Sequence, residues 1–394
     1  MDRRQFCLSA AALAVPPAMY GATSLPPPDF DLRQIERARV LRLADRALEQ
    51  APLPLTSLRA PRSPGSPHDY YSEGDYWWPN PNDPTGPYIQ RDGYSNPEKF
   101  VAHRDALIRL SLLVPALTAA WRLTGEPRYA SHAVQHLAAW FVTAESRMNP
   151  RLDYAQAIVG RNRGRGIGII DTLHLVEVAR AAELLRSAGA KIYPVDTQAA
   201  VADWFGQYLH WLNTSENAKA EKAEKNNHGS CWLLQCLQFA QLSGAREWRN
   251  TARERFTQVL LPQQIDRAGR QPLELARTKP YSYSLFNIDV LSTIAHILSQ
   301  DGENLFLYQT ADGCSLKQAV AYMYPYIADK AAWPYPADVE YFDQLPVRQV
   351  HLLFAGQALS QPQYLALWRK LDPDPQTGEI IRNFPIRQPL LWFA

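Results

Sequence analysis

The sequence predicts an all-α protein: an (α/α)n toroid or incomplete barrel of about six to seven helical hairpins, with long loops over a central cleft. Three observations carry this. From Asp31 onward apolar residues recur at spacings of three and four, the helical stretches are joined in pairs by short turns at Gly125, Gly189 and Gly244, and strand-like alternation is scarce. Repeated hairpins bury their apolar faces on one another, and long irregular connections favour a ring with a groove at one end over an open solenoid.

Residues 1–22 read as an export signal. Arg3-Arg4-Gln5-Phe6 precedes the apolar stretch Cys7 to Ala18, and Tyr20-Gly21-Ala22 offers a small-residue cleavage site. The paired arginines look like a twin-arginine signal, so residues 23–394 are expected to be one toroidal domain, periplasmic or secreted. The Pro/Gly-rich stretch from Pro52 to Pro97 is the longest irregular connection. Its centre, Tyr70 to Pro81, is too aromatic for a linker and is expected to fold over the ring's mouth or line a groove, with Tyr76, Trp77 and Trp78 as faces for sugar rings.

Leu107, Leu110, Val114, Leu117 and Trp121 mark one helix face, which ends at Thr124-Gly125-Glu126-Pro127. A second helix is predicted over Arg128 to Thr143, and further pairs over Ile170 to Leu185 with Thr197 to Leu212, and around Ser243-Gly244-Ala245. Between them, Arg161 to Asp171 looks at first like a glycine-rich phosphate loop, but no strand precedes it and the Lys-Ser/Thr of such loops is missing. Arg161, Arg163 and Arg165 are instead candidates for gripping the carboxylates of a polyanion.

Composition excludes several classes. With 46% hydrophobic residues the chain has material for a large core, and a formal net charge of +2 is too balanced to imply nucleic acid. Past the signal no segment reaches ~18 uninterrupted apolar residues, so no membrane insertion is expected. Cys231, Cys236 and Cys314 are an odd, scattered set, expected as buried thiols.

The chemistry concentrates in Asn226-Asn227-His228, Glu274 to Arg277 and Tyr281-Ser282-Tyr283, which supply carboxamide, imidazole, guanidinium and phenol. Cleaving a uronic-acid polymer by β-elimination requires those groups. The C5 proton lies next to a charged carboxylate that must be neutralised, a base must remove that proton, and an acid must protonate the leaving oxygen at C4. Asn226-Asn227 precedes a helix expected from about Gly229, where capping is the ordinary use of Asn. Arg277 and Tyr283 are expected on a loop leading to a helix from Leu285, with the guanidinium lowering the phenol's pKa. Tyr281 is the competing phenol. No HExxH-like or Cys/His cluster of ligand spacing appears, so neither metal nor organic cofactor is expected. The rival readings are an inverting glycoside hydrolase using two of Asp153, Asp171 and Glu274, and a non-catalytic glycan-binding protein.

At Tyr70 to Pro81 with Gly86 to Gly93, at Gln156 to Thr172, and at Asn226 to Trp232 with Glu274 to Asn287, the chain resembles the α/α-toroid polysaccharide lyases of the alginate-lyase-like group, most closely polysaccharide lyase family 38. The resemblance implies proton transfer by Tyr283 and His228, carboxylate neutralisation by Asn227 or Asn226 and Arg277, and an acidic polysaccharide as substrate, either alginate or glucuronan. Gln156 and Tyr281 join the arginines and aromatics above as implied substrate contacts. One departure stands out: lyases of family 5 place the tyrosine seven residues after the arginine, where this chain has Ser284.

Overall fold

A computed structural model describes residues 30–299 and 302–393. The proposed signal lies outside the described residues. Fifteen α-helices are found among the described residues: α1 Leu32–Leu48, α2 Ala102–Thr124, α3 Pro127–Phe141, α4 Leu175–Leu185, α5 Val195–Thr214, α6 Glu216–Ala223, α7 Asn227–Ser243, α8 Trp248–Arg255, α9 Leu261–Gln264, α10 Pro272–Leu275, α11 Pro280–Leu298, α12 Leu316–Ala328, α13 Val350–Ala358, α14 Pro362–Lys370 and α15 Gly378–Arg382. The strands are short: β1 Tyr71–Glu73 pairs in parallel with β4 Tyr154–Ala157, and β2 Trp77–Trp78 pairs antiparallel with β3 Ile89–Gln90.

An inner series, α2, α4, α7, α11 and α13, packs each helix against the next, while α1, α3, α5, α12 and α14 back it from outside. This is the expected α/α toroid. The inner helices lack a polar stripe because both sides are covered. Nearly every residue of α7 and of α11 is buried, including Trp232, Phe239, Ile288 and Ile294. Helix α2 is long and apolar enough to cross a membrane by length and composition, but most of it is buried between α1, α3 and α4 as a core helix. One buried apolar cluster extends from Leu32 to Trp392. The C-terminal segment packs against α1 and α4: Arg39 bonds Asp374 at 2.8 Å, and buried Glu177 of α4 accepts from the Arg387 and Gln388 amides and the Trp392 indole.

The turn glycines have the expected role. Gly125 and Gly244 end α2 and α7 in the left-handed region, at φ 74° and 86°, donating to Trp121 and Ala240 carbonyls. Cys231, Cys236 and Cys314 are buried free thiols. Helix α4 is shorter than expected, because Gly166–His174 winds as a 3-10 helix before it. The glycines of the arginine-rich loop serve close packing: a Cβ on Gly164 would stand 2.1 Å from the Asp153 carbonyl oxygen, and one on Gly168 2.6 Å from that of Ala155.

Candidate active site

A cavity of about 280 Å3 opens at one end of the ring, lined from several directions, Arg104 of α2 and Glu379, Arg382 and Asn383 at α15 among them. The aromatic loop contributes Asp75, Tyr76, Trp77, Gln90 and Asp92, as expected of a segment folded over the mouth. The stretch from β4 to the 3-10 helix contributes Gln156, Arg165, Asp171 and His174. The start of α7 gives Asn226, Asn227 and His228, and the α10–α11 junction gives Arg277, Lys279 and Tyr283.

Asn226 caps α7, accepting the His228 amide at 3.1 Å, so it does what Asn ordinarily does at that position. This aims His228, the second residue of the helix, at the cavity. Its Nδ1 lies 2.9 Å from Oε1 of Glu221, a fully buried carboxylate on α6. With Nδ1–H donated to the carboxylate, Nε2 carries the lone pair, and among the described residues nothing bonds to it. Burial opposes a charge on this ring, but Glu221 outweighs it and raises the His228 pKa; burial likewise pushes Glu221 up. The pair therefore keeps one proton to higher pH than either group does in water.

Asn227, wholly buried, is clamped by Glu274: its amide N–H reaches Oε1 at 2.7 Å and its Nδ2 reaches Oε2 at 2.8 Å. That use leaves one Nδ2 hydrogen for a further acceptor. Across the cavity, Arg277 Nη2 lies 3.1 Å from Tyr283 Oη and 3.0 Å from Asp92 Oδ1, with its guanidinium carbon 4.2 Å from the centre of the Tyr283 ring. Tyr76 Oη completes the cluster, 3.0 Å from Tyr283 Oη.

Two expectations about these residues are corrected. Tyr283 is in the first turn of α11, which begins at Pro280 instead of near Leu285, because Asp338 accepts the Tyr281 and Ser282 amides at 2.9 Å each and caps the helix from a distant segment. The Tyr283 pKa is also raised, not lowered: burial is the larger effect, and Arg277 and the Tyr76 hydrogen bond only partly offset it. Tyr283 is thus a protonated phenol in the free protein, a form suited to giving a proton.

Tyr281 is not at the cavity. It is fully buried against Trp333 and Phe342 and donates to the Tyr326 carbonyl at 3.0 Å, because two residues along a helix turn it well away from Tyr283. The three loop arginines divide. Arg165 lines the cavity, held by the carbonyl and side-chain oxygens of Gln156 at 3.0 and 3.1 Å. Arg161 sits outside it, bonded to the Tyr88 carbonyl at 2.7 Å and over the Trp77 ring, while Arg163 is exposed and does not line it. Trp78 also lies off the cavity, its indole given to the Tyr94 carbonyl. Trp77 and Arg165 meet because Gly74 makes room: a Cβ there would be 2.7 Å from Trp77 and 2.9 Å from Arg165.

Gln156 holds its position under strain, at φ 49° for a residue with a side chain, where its Nε2 bonds Asp171 at 3.0 Å. Asp171 also accepts from Tyr70 and Ser72, so it is a structural anchor for the mouth. With Asp171 committed there, Glu274 committed to Asn227, and Asp153 off the cavity holding Trp211 and Arg151, none of the three carboxylates considered for hydrolysis is free for it.

Glu221, Asp92 and the cationic group around Asp75 escaped the sequence reading. Asp75 is buried among Arg104 at 2.7 Å, Arg382 at 2.9 Å and Lys99 at 3.7 Å. The only sequence sign of Glu221 was a carboxylate two helical turns before His228 across a helix break. Nothing local marked Arg382, which arrives from α15.

The family model for alginate lyase matches residues 55–333. Among solved structures, an alginate lyase from Bacteroides ovatus is 31% identical, with a TM-score of 0.78 over 91% of this chain and 93% of that one. An alginate lyase A1-III variant complexed with tetrasaccharide is 16% identical, with a TM-score of 0.56 over 91% and 94%, a likeness of fold alone. Among curated proteins nothing matches. The family match across most of the chain and the 31% identity along nearly all of the Bacteroides ovatus enzyme agree with the cavity's contents: the chain belongs to the alginate lyase family and is a polysaccharide lyase.

Proposed function

We propose that the protein cleaves alginate, or a closely related polyuronate such as glucuronan, by β-elimination, with His228 and Tyr283 as the proton-transfer pair. The observation that carries the reading is the opposition of two polarised groups across one cavity: an imidazole with its lone pair freed by Glu221, and a protonated phenol held by Arg277. The uronate carboxylate takes the free donors of Arg277 and the second Nδ2 hydrogen of Asn227, so negative charge gathering on it as C5 loses its proton is met by fixed dipoles. His228 Nε2 takes the C5 proton, the electron pair forms the C4–C5 double bond, the C4–O bond breaks, and Tyr283 gives its proton to the departing oxygen. Arg165, Trp77 and Tyr76 hold the neighbouring sugar. The Arg3-Arg4-Gln5-Phe6 run supports export to the periplasm or beyond.

The test is a panel of polymannuronate, polyguluronate, glucuronan and hyaluronan, followed by the ultraviolet absorbance of the conjugated unsaturated uronate. Absorbance growing with alginate blocks or glucuronan is the expected result. New reducing ends without that absorbance would mean hydrolysis and reject elimination.

A further inference from the structure

We propose that His132, His136 and the backbone carbonyl of Gln50 form a binding site for one divalent transition-metal ion of the zinc class, on the outside of the ring. His132 and His136 are four apart on α3, so both rings leave the same face of the helix, a spacing that suits two imidazoles to one metal. The pair lacks the glutamate of a metalloprotease helix, so no HExxH-like pattern marks it in the sequence. The third donor comes from elsewhere: Gln50, just past the end of α1.

The three atoms form a nearly equilateral triangle. His132 Nε2 is 3.0 Å from Gln50 O, His136 Nε2 is 3.1 Å from the same oxygen, and the two nitrogens are 3.3 Å apart. Tetrahedral zinc with bonds of about 2.0–2.1 Å sets its ligand atoms about 3.3 Å from one another. The triangle therefore has the size of one face of a zinc coordination shell.

One tautomer of His132 suits such a site. His132 Nδ1 lies 3.2 Å from Gln135 Oε1, so in the tautomer with its hydrogen on Nδ1 that hydrogen has an acceptor and the lone pair is on Nε2. In that tautomer the lone pair faces the Gln50 carbonyl at 3.0 Å, and an ion held by both takes the place of the hydrogen that bridges them in the other tautomer. A metal-bound imidazole also characteristically gives its other N–H to an oxygen acceptor, the place that Gln135 Oε1 fills beside His132 Nδ1. His136 is fully buried, its Nδ1 has no hydrogen-bond partner, and its Nε2 faces the Gln50 carbonyl and His132 Nε2.

Arg109 is the neighbouring cation. It bonds Gln50 Oε1 at 3.1 Å and the Ala51 carbonyl at 2.9 Å, which fixes the turn that aims the Gln50 carbonyl. Its charge and the lack of a carboxylate donor disfavour calcium and magnesium and leave the ions that bind imidazole strongly. His132 is only half-buried, so such an ion is reachable from solvent and completes its shell with water. None of these residues lines the catalytic cavity, and the ion's effect falls on stability.

The experiment uses tag-free, chelator-treated and dialysed protein, titrated with zinc chloride by calorimetry and melted with and without zinc. One equivalent should bind, and at zinc a hundredfold above the dissociation constant the folded-to-unfolded ratio should rise about 100-fold, raising Tm. His132→Ala should lose both effects while producing unsaturated uronate at the wild-type rate. His132→Gln, whose side-chain amide can bond the Gln50 carbonyl without an imidazole, should behave likewise and guards against a fold defect in the alanine variant. Absence of stoichiometric binding to the wild type, or undiminished binding to the folded variants, overturns the proposal.

Discussion

Replacing Glu221 by glutamine isolates what the carboxylate does to His228. The substitution keeps the shape but removes a negative charge 2.9 Å from Nδ1. An opposite charge at such range raises an imidazole pKa by about 1–3 units, or about 1.4–4 kcal/mol. Only neutral His228 can accept the C5 proton, so activity in the wild type rises as pH climbs through the raised pKa. Without Glu221 the burial that opposes charge is left unchecked, and the acidic limb of kcat/KM should move to lower pH by about 1–3 units. The plateau rate should fall by about 10–100-fold, part of what a general base supplies, because the ring loses its tautomer and orientation. The stability sign agrees: both groups have raised folded pKa values, so the pair's contribution is complete at low pH and lost as pH rises through them. The assay is initial rate against pH by ultraviolet absorbance on one defined oligouronate. An acidic limb in the wild-type position, in a variant with native circular dichroism, would refute the claim that Glu221 sets the base.

Tyr283→Phe should lower turnover by at least ~100-fold, whereas Tyr281→Phe should retain activity and lose only about 1 kcal/mol from the hydrogen bond to Tyr326; the reverse ranking would move the acid off Tyr283. Arg165→Ala should raise KM more than it lowers kcat, and Arg163→Ala, at an exposed position off the cavity, should change neither much, as steady-state kinetics on one oligomer will show. Asp75→Asn should cost about 3–5 kcal/mol in urea unfolding by leaving Arg104 and Arg382 buried without their counter-charge. Burial opposes ionisation of Asp75, but those arginines hold its pKa far below the carboxylate range. Its contribution is therefore present above about pH 3.9 and lost as pH falls, and an unchanged urea midpoint in the variant would contradict that role.

The ring itself was legible because its causes are local. A spacing of three and four, broken at Gly125 and Gly244, dictates helices with covered faces, and helices of that kind can bury those faces only on one another. The cap at Asn226 and the aromatic segment over the mouth were readable for the same reason. What stayed hidden was set by residues far apart in sequence. Tyr283 looked like part of a loop because the cap that starts α11 is Asp338, and Tyr281 looked equivalent to it until the helix turned one phenol to the cavity and the other into the core. The expected lowering of the Tyr283 pKa failed because a neighbouring arginine is visible in sequence and the depth of burial is not. The choice among Arg161, Arg163 and Arg165, and the arrival of Arg382 and Glu221, depended on how separate segments meet. Local hydrogen bonding and periodicity are written in the chain, whereas desolvation and long-range pairing exist only once it has closed on itself.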